Sequence, residues 1–409
     1  MLKPALPMSS PDLTEAEIAA VNRVLASPVL SIGPNLEAFE QAFAEYIGVG
    51  YGVGVNSGTS GLHLCAIAAG IESNDFAITT PFSFIASANA ILYERALPVF
   101  ADVDPLTGNI EPTLVVEAIE DFVNGRPTAR RWLPPALRGQ SLASLGRLKA
   151  VLPVHAFGQP ADMDLLWQKA REYDIAVIED ACEAVGATYR GRKAGTLSDF
   201  AVFAFYPNKQ MTTGEGGMIV TDDEAAASLF RSLRNQGRDV FDGWLNHTRL
   251  GYNYRLDELS AALGLAQIGR IEELLSKRAQ VAQWYNEGLA DLEGIELPTI
   301  VPSTTRMSWF VYVVRVRRPL LRDTVMRRLA ELGIPSRPYF TPIHLQPFYA
   351  QRFGFRRGDF PVAEELGDVS LALPFSGVMT QAQVELVCAR LRQVVNSPMQ
   401  MDSYATATT

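Results

Sequence analysis

Cysteine and histidine are scarce: the 409 residues hold three cysteines, Cys65, Cys182 and Cys388, and four histidines. An odd, widely spaced trio fits neither a disulfide framework nor the paired spacing of a zinc site, and points to a reducing, cytoplasmic setting. A basic excess is also lacking. Against 45 Asp and Glu stand 36 Lys and Arg, a formal net charge of −9 that repels phosphate backbones and argues against a nucleic-acid partner. No apolar run is long enough to span a bilayer, and the opening MLKPALPMSS has no basic stretch followed by an apolar core. Neither an export signal nor a membrane anchor is expected.

Core material is ample, with 48% hydrophobic and 20% charged residues, which excludes disorder and fibrous architecture for the bulk of the chain. Single cores stop growing near about 250–300 residues, so the length predicts a large domain and a smaller one. Short apolar runs, YGVGV, FAIT, PVFADV, KAVLPVH, IAVIED, FAVFAF and GMIVT, alternate with helix-like stretches. Such runs, rich in Val, Ile and Phe, predict an α/β domain with a mostly parallel sheet flanked by helices. A capping box, Thr14 with Glu17, marks the entrance helix.

Beyond Leu256 the text changes to LSAALGLAQIGRIEELLSKRAQVAQWYNEGL, read as one long helix, followed by a strand WFVYVVRVR and two further helices. These predict domains at 1–260 (α/β) and 261–397 (smaller, α+β), with 398–409 a disordered tail. Within the first of these, the amino-terminal segment is expected to pack with the smaller domain. Residues 124–147 hold three prolines and five arginines without periodicity, and read as a solvated surface insertion.

Lys209, in FYPNKQMTTGEGG, follows a buried strand at the end where α/β sheets place their ligands. Taken alone it reads as a solvated surface charge, and only the agreement of other motifs favours a functional role. Asp180 ends the strand IAVIED and could cap a helix, bind a metal or face a protonated ring nitrogen; no surrounding His/Cys/Asp cluster supports a metal. An acid ending one strand and a lysine following the next long one is the arrangement a pyridoxal phosphate site requires. There the lysine forms a Schiff base and the carboxylate keeps the pyridine nitrogen protonated. The third element is NSGTSGLHL, where Gly58, Thr59 and Ser60 open a helix whose free amides suit a phosphate.

The ordered set NSGTSGLHL, TTPFSFIASANAI, PVFADVDP, VHAFGQPADMD, IEDACEAVGA, FYPNKQMTTGEGG, LGYNYRLDELSAALG and PIHLQPFY resembles the DegT/DnrJ/EryC1/StrS aminotransferases, from about residue 10 to 395. The resemblance implies fold type I of the pyridoxal phosphate enzymes and, as activity, transfer of an amino group from an amino acid, glutamate above all, to a nucleotide-linked keto sugar. It makes Lys209 the Schiff-base lysine and Asp180 the partner of the pyridine nitrogen. Gly58, Thr59 and Ser60 would hold the phosphate. Phe84 would stack on the ring, although its own pattern favours a core aromatic. Asn253 would reach the phosphate of a neighbouring subunit in a homodimer with shared sites, and Arg255 and His344 would lie near the substrate. Two positions depart from the family pattern: Glu183 stands where Gln is common, and Ala204 where a Ser commonly touches the phosphate. Glu183 would meet the cofactor's phenolic oxygen through a shared proton. Rival readings are the family's sugar dehydratases, which carry His in place of the lysine, a cyclitol aminotransferase, and a cofactor-binding regulator without turnover.

Overall fold

The computed structural model describes residues 6–142, 145–239 and 246–397. The seven apolar runs form one sheet. Its strands are β1 (Tyr51–Val55), β2 (Phe76–Thr79), β3 (Leu97–Phe100), β4 (Leu148–Val151) and β5 (Ala176–Asp180), then, past a small hairpin of β6 (Thr188–Tyr189) and β7 (Arg192–Lys193), β8 (Phe200–Ala204) and β9 (Gly217–Thr221). The order is β1-β9-β8-β5-β4-β2-β3. From β8 through β5, β4 and β2 to β3 every pairing is parallel, while β9 runs antiparallel to both β8 and β1.

Burial on both faces explains why these strands read as continuous apolar runs. Alternate residues serve opposite layers. Val202 and Ile219 pack with Leu62 and Cys65 of the helix Gly58–Ala68, whereas Phe203 and Val220 pack with Phe39 and Phe43 of the helix Pro34–Ile47.

A second, antiparallel sheet has the order β10-β12-β14-β13, with β10 (Ile295–Glu296), β12 (Tyr312–Val316), β13 (Arg337–Pro338) and β14 (Ser370–Leu373). The intervening β11 (Thr304–Arg306) joins the β6–β7 hairpin. Tyr285, Tyr312, Leu371 and Leu391 lie in the core beneath the second sheet. At the amino terminus, Leu6 packs on that core and Met8 accepts a backbone hydrogen bond from Phe375.

The expected capping box is present: Thr14 caps the helix Glu15–Leu25 and Glu17 reaches back to the Thr14 amide. A second one, Thr380 with Gln383, opens the helix Gln381–Asn396. The single long helix expected after Leu256 is instead two, Glu258–Ile268 and Ile271–Leu289. Gly269 closes the first, and Arg270 has a non-helical φ of −124° with its guanidinium drawn to Asp12, Glu17 and Glu273. The second helix bridges both cores. Its Leu274 and Leu275 face the large sheet, and Val281, Tyr285 and Leu289 face the small one.

The proline- and arginine-rich segment does lie at the surface, with most of its described residues exposed, but it is ordered rather than structureless. It forms 3-10 turns at Pro127–Arg131 and Pro135–Leu137, buries Ala129 and Leu133, and donates the Trp132 indole N–H to Asp121 at 2.9 Å. Arg126 and Arg131 pair with Glu120, Glu117 and Asp121, which removes them as free cations. The sequence pattern hid this because one-turn segments have no period. The tail 398–409 lies outside the described residues.

Candidate active site

A cavity of about 420 Å³ opens where β5 and β8 end and the helix Gly58–Ala68 begins. Gly58, Thr59, Phe84, Asp180, Glu183 and Lys209 all line it, so the structure gathers six of the candidate residues in one place. Phe310, Tyr339 and Phe340 close the opposite side from beyond the large sheet.

Asp180 is the last residue of β5, and no helix follows it, which removes the capping alternative. It is buried at 5% exposure, accepting from Ser87 Oγ at 2.8 Å and from the Cys182 amide at 3.2 Å. Its neighbour Glu179 points the other way and ties the strand end down. There Glu179 accepts from His155 Nε2 at 2.7 Å, from the Gly195 and Leu197 amides and from Ser198 Oγ. Burial works to raise the Glu179 pKa, but the hydrogen bonds outweigh it and hold the carboxyl below its usual range.

Lys209 sits in the loop that turns β8 back into β9, its side chain 13% exposed. That burial is inconsistent with a solvated charge. The ammonium rests 3.9 Å from the centre of the Phe310 ring and 3.5 Å from Glu183 Oε1. Glu183 Oε2 accepts the Phe157 amide at 2.9 Å. Burial pushes the Glu183 carboxyl up, Lys209 partly offsets this, and the nearby Asp180 charge adds to it.

At the helix terminus, Ser57 is the cap, accepting the Ser60 amide at 3.1 Å. The Ser60 hydroxyl donates to Asn56 Oδ1 at 2.6 Å and lies 2.8 Å from Ser57 Oγ, so Ser60 is committed within the turn and does not line the cavity. Gly58 is required by close approach: a Cβ there would sit 2.8 Å from both Ala204 Cβ and Cys182 Sγ. Phe84 is 63% exposed and therefore no core residue.

Three candidates lie apart from this cavity. Asn253 is exposed, its backbone bridged to Asn235. Arg255 bonds Asn235 Oδ1 at 3.3 Å. His344 is fully buried, its Nε2 3.0 Å from Glu364 Oε1, and burial depresses its pKa despite that carboxylate. Sequence reasoning missed Phe310, Tyr339, Phe340 and Ser87. Phe310, Tyr339 and Phe340 lie far along the chain from Lys209 and Asp180 with nothing local to mark them, whereas Ser87 stands three residues past Phe84 inside the TTPFSFIASANAI motif, a signal that could have found it.

An amine, a buried carboxylate and a helix amino terminus with no Cβ at its first residue surround one cavity, which fits a flat pyridine ring bearing an aldehyde and a phosphate. The comparisons agree. A model of the DegT/DnrJ/EryC1/StrS aminotransferase family matches residues 11–392. The chain is 40% identical to GDP-perosamine synthase of Caulobacter vibrioides over 369 residues, 90% of this chain and 92% of that one. With the spore coat polysaccharide biosynthesis protein SpsC of Bacillus subtilis it shares 34% identity over 403 residues, covering 95% and 97%. The solved structure of S. venezuelae DesV in complex with a ketimine intermediate superposes with a TM-score of 0.84 at 33% identity, covering 97% of this chain and 100% of that one. This chain belongs to the DegT/DnrJ/EryC1/StrS aminotransferase family and is a pyridoxal-phosphate-dependent aminotransferase.

Proposed function

We propose that the protein transfers an amino group from an amino acid, glutamate first, to a keto sugar carried on a nucleoside diphosphate. The observation that carries the reading is Lys209 and Asp180 facing one cavity. Two relatives named GDP-perosamine synthase, at 40% and 32% identity, support a sugar acceptor and make GDP-linked keto sugars the first to test.

Bound pyridoxal phosphate supplies a ring that accepts electrons. Asp180, held by Ser87 and the Cys182 amide, would keep a proton on the ring nitrogen. The Lys209 amine would bind the aldehyde carbon and, once displaced by the amino acid, would take the proton from the amino acid's Cα onto its own nitrogen. Phe84 offers its exposed face to the ring. Gly58 and Thr59 receive the phosphate, while Ser60 and Ser57 keep the helix terminus in shape. Glu183 shares its proton with the phenolic oxygen, since two anions would repel. Phe310, Tyr339 and Phe340 exclude water.

In a cytoplasmic homodimer, Asn253 and Arg255 would complete the partner's site. The exposed apolar side chains Ile18, Leu25, Leu30 and Leu250 support such a contact. His344 falls outside the proposal because its ring is enclosed. Lys209 disfavours the dehydratase reading. To test the acceptor, the amine-loaded enzyme would be offered a panel of nucleoside-diphosphate keto sugars. Return of the visible band with one of them supports the reading; no return with any of them, while amino acids still bleach the lysine-bound form, rejects it.

A further inference from the structure

The helix Ile271–Leu289 sends one arginine into the protein where no carboxylate receives it. Arg278 is 4% exposed. Its Nη2 donates to the carbonyls of Asn208 at 3.1 Å and Lys209 at 2.5 Å, and its Nη1 to those of Trp309 at 3.3 Å and Phe310 at 3.1 Å. Burial lowers its pKa to about 10, which leaves the guanidinium charged at neutral pH. Asp12 is the carboxylate that favours that charge, yet its oxygens bond Arg270 and Lys277 instead.

The four carbonyls come from two segments. Asn208 and Lys209 belong to the loop between β8 and β9, and Trp309 and Phe310 precede β12. The Phe310 ring is also the surface on which Lys209 Nζ rests, 3.9 Å from its centre. One rigid fork therefore sets the separation between the lysine backbone and the ring its ammonium touches. Gln210 works beside it, bonding Ser308 Oγ at 2.9 Å and the Glu183 carbonyl. A residue needed only for packing would not require a charge here, because a desolvated cation is costly and an apolar side chain of similar length fills the same space.

We infer that Arg278 is a positioning residue for transamination: its fork ties the Lys209 backbone to that of Phe310 and so fixes the lysine against the ring it touches. The inference rests on Lys209 being the proton carrier.

Arg278→Lys keeps the charge and loses the planar fork; Arg278→Met keeps the length and loses both. In the cofactor-loaded enzyme both variants should lower kcat about ten-fold or more, with KM for the amino donor within about three-fold of wild type. Folded variants with unchanged kcat, or with KM raised well beyond about three-fold in step with the loss of kcat, overturn the inference. So does loss of folding in both, as judged by circular dichroism, which would make Arg278 a packing residue. Lys209→Ala is the control: if it retains the band and turnover, the assignment of Lys209 itself fails, whatever Arg278 does.

Discussion

At the scale of single residues, Asp180 and Glu183 are two buried carboxyls at one end of β5 with different surroundings. Asp180 receives two hydrogen bonds at its oxygens. The two bonds fall on different oxygens; in Asn the amide oxygen can accept from the Cys182 amide while the amide nitrogen donates to Ser87 Oγ, so Asp180→Asn should fold normally and bind cofactor through its phosphate. It should nevertheless lose about a hundred-fold or more in kcat, because an amide does not stabilise a ring cation. Wild-type kcat in this variant would remove Asp180 from the mechanism. Glu183 makes a prediction about pH. Its pKa is raised, chiefly by burial, so the native state holds its proton to higher pH than the unfolded chain does. Stability tied to this group is therefore greatest below the unfolded pKa and is lost as pH rises through the folded value. Glu183→Gln should thus raise the thermal midpoint of the cofactor-free protein at about pH 8, with the gain shrinking toward about pH 4. A gain that grows on acidification would contradict the assigned direction.

At the scale of elements, two loops hold the site because strands and helices approach too closely for side chains. Gly58 packs against Ala204 and Cys182 at the helix terminus. Gly58→Ala should cost about 1–3 kcal/mol from overpacking. Cofactor affinity should fall with it, as the displaced amides no longer converge on a phosphate. Urea unfolding together with a cofactor titration measures both, and full affinity in a destabilised protein would separate Gly58 from the phosphate. The turn Ala156–Gly158 shows a second such contact. Gly158 has φ +93° and no room for a Cβ, which would lie 1.5 Å from the Ser308 carbonyl oxygen. That approach lets Phe157 reach Glu183 and brings the segment before β12 against the site.

At the scale of the whole molecule, the cavity is built from distant stretches of chain, and the proposed homodimer extends this across two chains. Asn253 is exposed and away from its own cavity, as a residue serving a partner must be. Mixing Lys209→Ala chains with Asn253→Ala chains creates a heterodimer in which one site has Lys209 together with an intact Asn253 from the other subunit. Such heterodimers should regain cofactor affinity and turnover above both parent proteins, as read by activity after isolating the mixed species through two affinity tags. Mixed dimers no better than the parents would confine Asn253 to its own chain.

The seven strands, both halves of the Thr14–Glu17 capping box and the Lys209–Asp180 pair were legible from sequence because each depends on neighbours along the chain: burial on both strand faces, a cap three residues from its partner, or a position at a strand end. The break at Gly269 and Arg270 was not, because helical periodicity continues across it and only the side chains drawn to Arg270 end the first helix. Nor was the exposure of Phe84, the enclosure of His344 or the packing of Ala129, Trp132 and Leu133, which depend on what the fold lays against each of them. The order β1-β9-β8-β5-β4-β2-β3 decides which strand ends meet. The second sheet then decides that Phe310 faces Lys209, and the bridging helix that Arg278 fastens the two together. Local chemistry along the chain determined the strands and the strand-end positions of Asp180 and Lys209; contacts between residues remote in sequence, which carry no periodic signal, were decided by tertiary packing alone.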